Sequence, residues 1–329
     1  MASASFIVTQ VGPHVSIQDS GRRGLMRFGV PESGPMDRTA FAIANAALGN
    51  MTIPPAIEIS MGGLQLECVD GSVTIALAGG GFQVAIDRSA FGSWAVATMH
   101  AGARLTVKPG PWGSWTYLVF AGDLRANRWL GSAATHSQSG FGGGQIAKGQ
   151  RLVIENAEVR SERCGPIPCP VFARPRTSLR VVLGPQDRFF APDTIHALLW
   201  QPFSLTDAYD RMGVRLAGPT LRPVGKLDMP SEAIVRGSIQ VAGDGRPTVL
   251  LADHQTTGGY PKIATVISGD LDRFVQLRSR NQVVFESISP EAAIEAAGNH
   301  RRSYEQFLTR LMARRGDPNF VRSHVAETL

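Results

Sequence analysis

Asp253-His254-Gln255-Thr256-Thr257-Gly258-Gly259-Tyr260-Pro261-Lys262-Ile263-Ala264-Thr265-Val266-Ile267 begins as a run of hydrogen-bonding side chains and ends as a strand. The β-branched residues of Ile263–Ile267 suit a pleated surface, and the ten residues before them are poor in anything a core would keep. Adjacent threonines offer hydroxyls, the glycine pair lets backbone approach a ligand, and Pro261 holds Tyr260 extended. The stretch therefore predicts a β scaffold that carries the wall of a site on the loop entering one of its strands. A glycine-rich turn between strands is the competing reading.

The same signature recurs on either side. Six segments in the first half, 6–11, 64–69, 73–78, 104–109, 116–122 and 151–156, read as strands punctuated by turn residues. In the second half 179–184, 203–207, 233–242, 248–253, 263–268 and 282–289 read the same way. The clearest early helix runs from about Asp37 to Leu48, where Asp37 can cap and Gly49-Asn50 stops it. A short helix is expected near 187–190, and two more over 290–297 and 301–314. The fold class is mainly β with a few helices. At 329 residues two domains are the better expectation. Four prolines (166, 168, 170 and 175) between Ser161 and Ser178 place the boundary there, giving domains 1–173 and 174–329.

An internal echo links the halves. Glu58, Gly71 and Ala78 have the same spacing as Glu232, Gly245 and Ala252, 13 and then 20 residues from the glutamate, while Gln65 and Gln240 slip by one. The ordered set suggests duplication of a β-rich module.

Composition excludes more than it proposes. The net charge of +6 concentrates between His300 and Arg322, where six arginines face Glu305 and Asp317, so a solvated helix face explains it better than a nucleic-acid stripe. No window reaches the length of apolar chain a membrane span needs and no signal-like N-terminus is present, so a soluble, cytoplasmic protein is expected. Three cysteines, Cys68, Cys164 and Cys169, fit reduced thiols. The scattered histidines show no HExxH and no metal ligand is expected; no Gly-x-Gly-x-x-Gly follows a strand, which argues against a nicotinamide cofactor.

Three further stretches carry chemistry. Residues 16–37 place Asp19, Arg22, Ser33 and Asp37 among glycines before the early helix, whose N-terminus suits a carboxylate or phosphate; an Asp19–Arg22 turn bridge with Asp37 as a mere cap is the structural alternative. Thr135–Gly144 is glycine-rich and holds His136 and Ser139, but it is neither a Walker motif nor GxSxG, so a loop histidine is favoured over a catalytic serine. Asp207–Leu216 sets Arg211 and Arg215 four residues apart, able to share a face toward an anion, with an Asp210 salt bridge as the bland account.

Together, residues 16–50, Asp210–Leu216 and Asp253–Leu271 resemble the biotin-dependent carboxyltransferase family, which includes the 5-oxoprolinase C subunit, the carboxyltransferase portion of urea amidolyase and the Kip-type regulators. The resemblance runs from about Phe6 to Ile288. It implies two cyclophilin-like β-barrel domains and a homologous partner subunit in a heteromeric complex. It further implies ATP-dependent opening of a small cyclic amide, with ATP shared with or carried by the partner. The alternatives are carboxyl transfer to a urea-like substrate, with biotin on a separate carrier, and a non-catalytic regulatory partner. On this reading Lys262, Asp253, His254 and Arg211 are catalytic, with Asp253 or His254 moving a proton. Asp19, Arg22, Ser33, Asp37, Ser139, Arg215, Gln255, Thr256, Thr257 and Tyr260 bind substrate. The chain departs from many relatives at Gly142–Gln150, and at Tyr209, where a small polar residue is common.

Overall fold

A computed structural model describes residues 2–224 and 229–316. The contacts of these residues divide into two compact units, one holding 2–21, 37–174 and 304–316, the other 22–36 and the described part of 175–303. The architecture is mainly β with a few helices, as expected.

In the first unit a seven-stranded sheet runs in the order Asp123–Leu124, Arg151–Glu155, Ser3–Val11, Leu64–Asp70, Arg104–Lys108, Gln83–Ile86, Ser89–Gly92. A six-stranded sheet runs Gly165–Pro166, Ala95–His100, Ser72–Ala78, Trp115–Phe120, Ala56–Ser60, Ser16–Gln18. Both sheets feed one core, in which Phe6 and Phe120 meet at 5.5 Å. Trp115–Phe120 is buried on both faces because the helix Arg38–Leu48 covers it and Phe41 packs edge-on to Tyr117 at 5.6 Å. Asp37 caps that helix as expected, its carboxylate accepting from Ala40 N at 2.8 Å, and Gly49 ends it at φ 74°.

The second unit is a closed seven-stranded barrel: Ser178–Leu183, Lys262–Val266, Ser238–Val241, Pro247–Leu250, Gly213–Ala217, Phe203–Tyr209, Gln282–Ser287. Period-2 alternation sends Leu179, Val181, Phe203, Leu205, Val214, Leu216, Val283 and Phe285 out of solvent. Every pairing is antiparallel except the one between Ser178–Leu183 and Gln282–Ser287.

The echoed glycines occupy like places. Gly71 (φ 74°) and Gly245 (φ 75°) each join two strands in a conformation that costs an L-residue energy. The strands around Gly245 pair with each other, whereas those around Gly71 belong to different sheets.

Several expectations change. Residues 233–242 do not make one strand: Gly237 at φ 92° separates Glu232–Ala233 from Ser238–Val241. The two predicted C-terminal helices are a single one, Pro290–Ala313, because Gly298 weakens a helix without forbidding it. Residues 187–189 form a 3₁₀ turn. Part of the proline-rich segment is less free than a linker, since Gly165–Pro166 adds to a sheet edge and Ile167 is buried. Helices Pro192–Trp200 and Ser268–Phe274 and the strands between Gln83 and His100 were not anticipated; all are short, and periodicity is weakest over short spans. Arg301, Arg302 and Arg310 are exposed, as a solvated face requires, whereas Asp317 and Arg322 lie outside the described residues. No described helix is long and apolar enough to cross a membrane. The three cysteines are free thiols.

Candidate functional site

The antiparallel pairing of Gly213–Ala217 with Pro247–Leu250 continues past the strand ends, where Leu251 N donates to Met212 O and Asp253 N to Arg211 O, both within 2.9 Å. This register sets the Arg211 and Asp253 side chains together. Nε donates to Oδ2 at 3.0 Å and Nη2 to Oδ1 at 3.1 Å, a bidentate pair with almost no exposure. Nη2 also donates to Gly34 O at 2.7 Å. Arg236 holds the next two carbonyls, Pro35 O at 3.1 Å and Met36 O. Two arginines of the barrel unit therefore clasp three successive peptide oxygens of the segment Arg22–Met36.

That segment is bent to suit. Arg22 is buried and its N–H reaches Glu32 O at 2.8 Å, while Ser33 takes φ 56° and Gly34 φ 80°. The Ser33 Oγ is buried without a hydrogen-bond partner among the described residues. A non-glycine residue held in this region, with a buried hydroxyl unmatched, marks a place where strain is maintained by its surroundings.

His254 is buried, and its Nδ1 lies 2.6 Å from Gln255 O. A carbonyl only accepts, so Nδ1 carries the proton and Nε2 keeps its lone pair. Burial lowers its pKa from the ordinary imidazole value, outweighing the opposing contact with Gln255 O; the charges of Arg236, Glu32 and Asp253 enter after these.

Lys262 opens its strand beside a register slip at Ile263, so that it faces Gln240. Its Nζ is buried and makes no hydrogen bond among the described residues, with Glu232 Oε2 at 3.6 Å. Gln186 braces the pair: its Oε1 accepts from Lys262 N at 3.0 Å, its own N donates to Lys262 O at 3.2 Å, and its Nε2 donates to Glu232 Oε2. Gln255 Nε2 donates to Gln240 Oε1 and Gln240 Nε2 to Tyr260 O, each at 3.3 Å. Thr257–Gly258 forms a two-residue ladder with Glu232–Ala233, and Thr256 O accepts from Ile234 N at 3.1 Å.

Of the residues singled out in the sequence, Arg22, Ser33, Arg211, Asp253, His254, Gln255, Thr256, Thr257, Tyr260 and Lys262 belong to the barrel unit. Thr257 and Tyr260 are exposed. Arg215 is in the same unit but pairs with Asp244, both half-exposed. Among the described residues Asp210 makes no arginine bridge of the bland kind; its Oδ1 accepts from Met212 N at 2.8 Å and Gly213 N at 3.2 Å, shaping the turn. Asp19, Asp37 and Ser139 belong to the first unit. Asp19 accepts from Ser132 Oγ at 2.5 Å, Ala133 N at 2.7 Å and Gly21 N at 3.0 Å, organising a loop. Ser139 is exposed and bonded to His136 Nδ1 at 2.8 Å. Arg236, Gln186, Glu232 and Gln240 carried no site signal in the sequence; the echo marked Glu232 and Gln240 only as repeat positions. Among the described residues no cluster of three or more His, Cys, Asp or Glu is placed to hold a metal.

Comparison with known proteins adds a consistent picture. A family model described as the carboxyltransferase domain, subdomain A and B, matches residues 28–287. The chain is similar to the 5-oxoprolinase C subunit of Escherichia coli, 32% identical over 308 residues that cover 92% of this chain and 98% of that protein. It is 29% identical to urea amidolyase of Saccharomyces cerevisiae over 87% of this chain and 17% of that one. Among solved structures, TTHA0988 superposes with a TM-score of 0.77 and 31% identity, covering 86% of this chain and 55% of that chain. The Kluyveromyces lactis urea carboxylase gives 0.82 and 25%, covering 93% and 29%. The chain thus spans nearly all of the bacterial protein but about half of TTHA0988 and under a third of the carboxylase.

Proposed function

The chain belongs to the carboxyltransferase-domain family, subdomains A and B, and we propose that within it this protein is a subunit of an ATP-dependent enzyme that opens a small cyclic amide such as 5-oxoproline. The observation that carries this reading is coverage. The match to the 5-oxoprolinase C subunit extends over 98% of that protein, whereas the urea amidolyase match occupies 17% of a much longer chain.

The site supports it in these terms. Amide opening needs a proton acceptor and a fixed positive group near developing negative charge. His254, neutral with a free Nε2 lone pair, suits the first task, and the Lys262 ammonium supplies fixed positive charge that can hold an anionic group of the substrate. Arg211 and Asp253 are bound to one another and to Gly34 O, so they position the segment ending at Met36 instead of donating to substrate. Asp253 is thereby set aside as the proton carrier in favour of its neighbour. ATP does not fit this chain's glycine-rich loop, which lacks a Gly-Lys-Ser/Thr and runs from Gly144 into a bridge between Gln145 and Ser16. The nucleotide is carried by a partner subunit.

The test is co-expression with the partner subunits and measurement of 5-oxoproline-dependent ATP hydrolysis; an assembled complex without turnover sinks the proposal. Carboxyl transfer is the second reading, favoured by the superposition on the urea carboxylase. The chain holds no Met-Lys-Met for attaching biotin, so biotin would arrive on a separate carrier. Exchange of carboxyl from free biotin by the same complex separates the two.

A further inference from the structure

Lys262, Glu232 and Gln186 present an incomplete polar site. The ammonium is buried, with 2% of its residue surface exposed, and makes no hydrogen bond to any described residue; an ion pair at 3.6 Å leaves its three donors unmatched among those residues. Holding such a group out of water is unfavourable unless acceptors are supplied. Glu232 differs from its neighbour: its side chain is half-exposed, and Oε2 takes Gln186 Nε2 and faces Lys262, leaving Oε1 without a bond to any described residue. Gln186 is buried and joined to both the N–H and the C=O of Lys262, which fixes the lysine backbone and the glutamate carboxylate in one frame.

A fixed cation beside a fixed acceptor recognises a ligand with the opposite pair: an anionic group and a donor N–H. We propose that Lys262 and Glu232 form a two-point subsite for a small amide bearing a carboxylate, the ligand carboxylate meeting Lys262 Nζ and its amide N–H donating to Glu232 Oε1, with Gln186 as the positioning residue. This rests on the lactam-opening reading and deepens it by stating which parts of the substrate are read and by which atoms. A simple anion satisfies the lysine alone, and a neutral lactam the glutamate alone.

Ligand-observed NMR titration of the full chain, without ATP or partner, tests it with four probes: 5-oxoproline, 2-pyrrolidone (no carboxylate), N-methyl-5-oxoproline (no N–H) and acetate. The expected result is that 5-oxoproline binds at least about tenfold more tightly than each of the other three, the size of discrimination one matched polar contact supplies. Lys262→Met removes the advantage over 2-pyrrolidone and Lys262→Arg restores part of it. Glu232→Gln removes the advantage over the N-methyl compound. Gln186→Leu weakens the N-methyl discrimination while the carboxylate advantage stays, a split that general loosening of the fold would not produce. Thermal melts check that each variant folds. Equal binding of all four probes within about twofold, unaltered selectivity in Lys262→Met, or no binding by the full chain overturns the subsite. Selective binding without ATP turnover in the assembled complex removes the proposed function and keeps the subsite; turnover without selective binding does the reverse.

Discussion

Arg211 and Asp253 are joined by two hydrogen bonds, at 3.0 and 3.1 Å, with side-chain exposures of 2% and 0%. An ion pair so far from water is held in place by what it supports, here the carbonyl of Gly34. The two motif residues thereby buttress the turn at Gly34.

Replacing Arg211 by Met leaves Asp253 a buried, poorly matched charge, and a loss of about 3–5 kcal/mol is expected. Urea denaturation measures it. The double variant Arg211→Met with Asp253→Leu should recover part of that loss, and limited proteolysis within residues 22–36 should accelerate in both, since the Gly34 anchor is gone. A double variant as unstable as the sum of the two single ones refutes the coupling.

His254 gives stability a pH dependence of definite sign. Its folded pKa lies below the unfolded value, so as pH falls below about 6.5 the unfolded chain takes up the proton first and stability declines. Above that value the residue contributes no slope. His254→Gln should remove this component, read as the difference between the two proteins' unfolding free energies from neutral to mildly acid pH. The same substitution removes the Nε2 lone pair and should abolish turnover in the assembled complex.

Tyr117 donates to Glu58 Oε2 at 2.8 Å and accepts from Asp37 N at 2.7 Å, wholly inside the first unit. Burial, then the charges of Glu58 and Asp37, push its phenol well above the ordinary tyrosine value. In an alkaline absorbance titration this one of the four tyrosines should stay silent until the protein unfolds. Tyr117→Phe should lower stability by roughly 1–3 kcal/mol, the cost of leaving a buried acceptor unmatched.

Asp37→Ala removes the cap of the helix Arg38–Leu48, with an expected loss of about 1 kcal/mol by thermal melt. Probe binding by the Lys262 subsite should be unchanged. Altered binding would make Asp37 a ligand contact.

The capped helix shows what a local signal can deliver. Asp37 before an apolar run, with Gly49 after it, specifies both ends without help from the rest of the chain, and both ends are found there. Strands with strong alternation were equally readable, from Ser3–Val11 to Gln282–Ser287. Gly237 was not: its φ of 92° answers to a close neighbour, Val266 O, 2.8 Å from where a Cβ would stand, and that neighbour is distant in sequence.

The site divides along the same line. Residue order alone is enough to mark the donor-rich loop 253–262, the arginine of Asp210–Leu216 and the glycine-rich stretch 16–37 that holds Ser33, because each is a short run whose composition no core requires. Their roles came from contacts made after folding. Barrel register set Arg211 against Asp253, Arg211 and Arg236 took up the carbonyls of residues 34–36, and Gln186 and Glu232 reached Lys262 across 76 and 30 residues of sequence. Hydrogen-bond partners close in space but far apart in the chain leave no periodic or compositional trace, so Arg236, Gln186 and Glu232 became visible as parts of the site only once the barrel had closed.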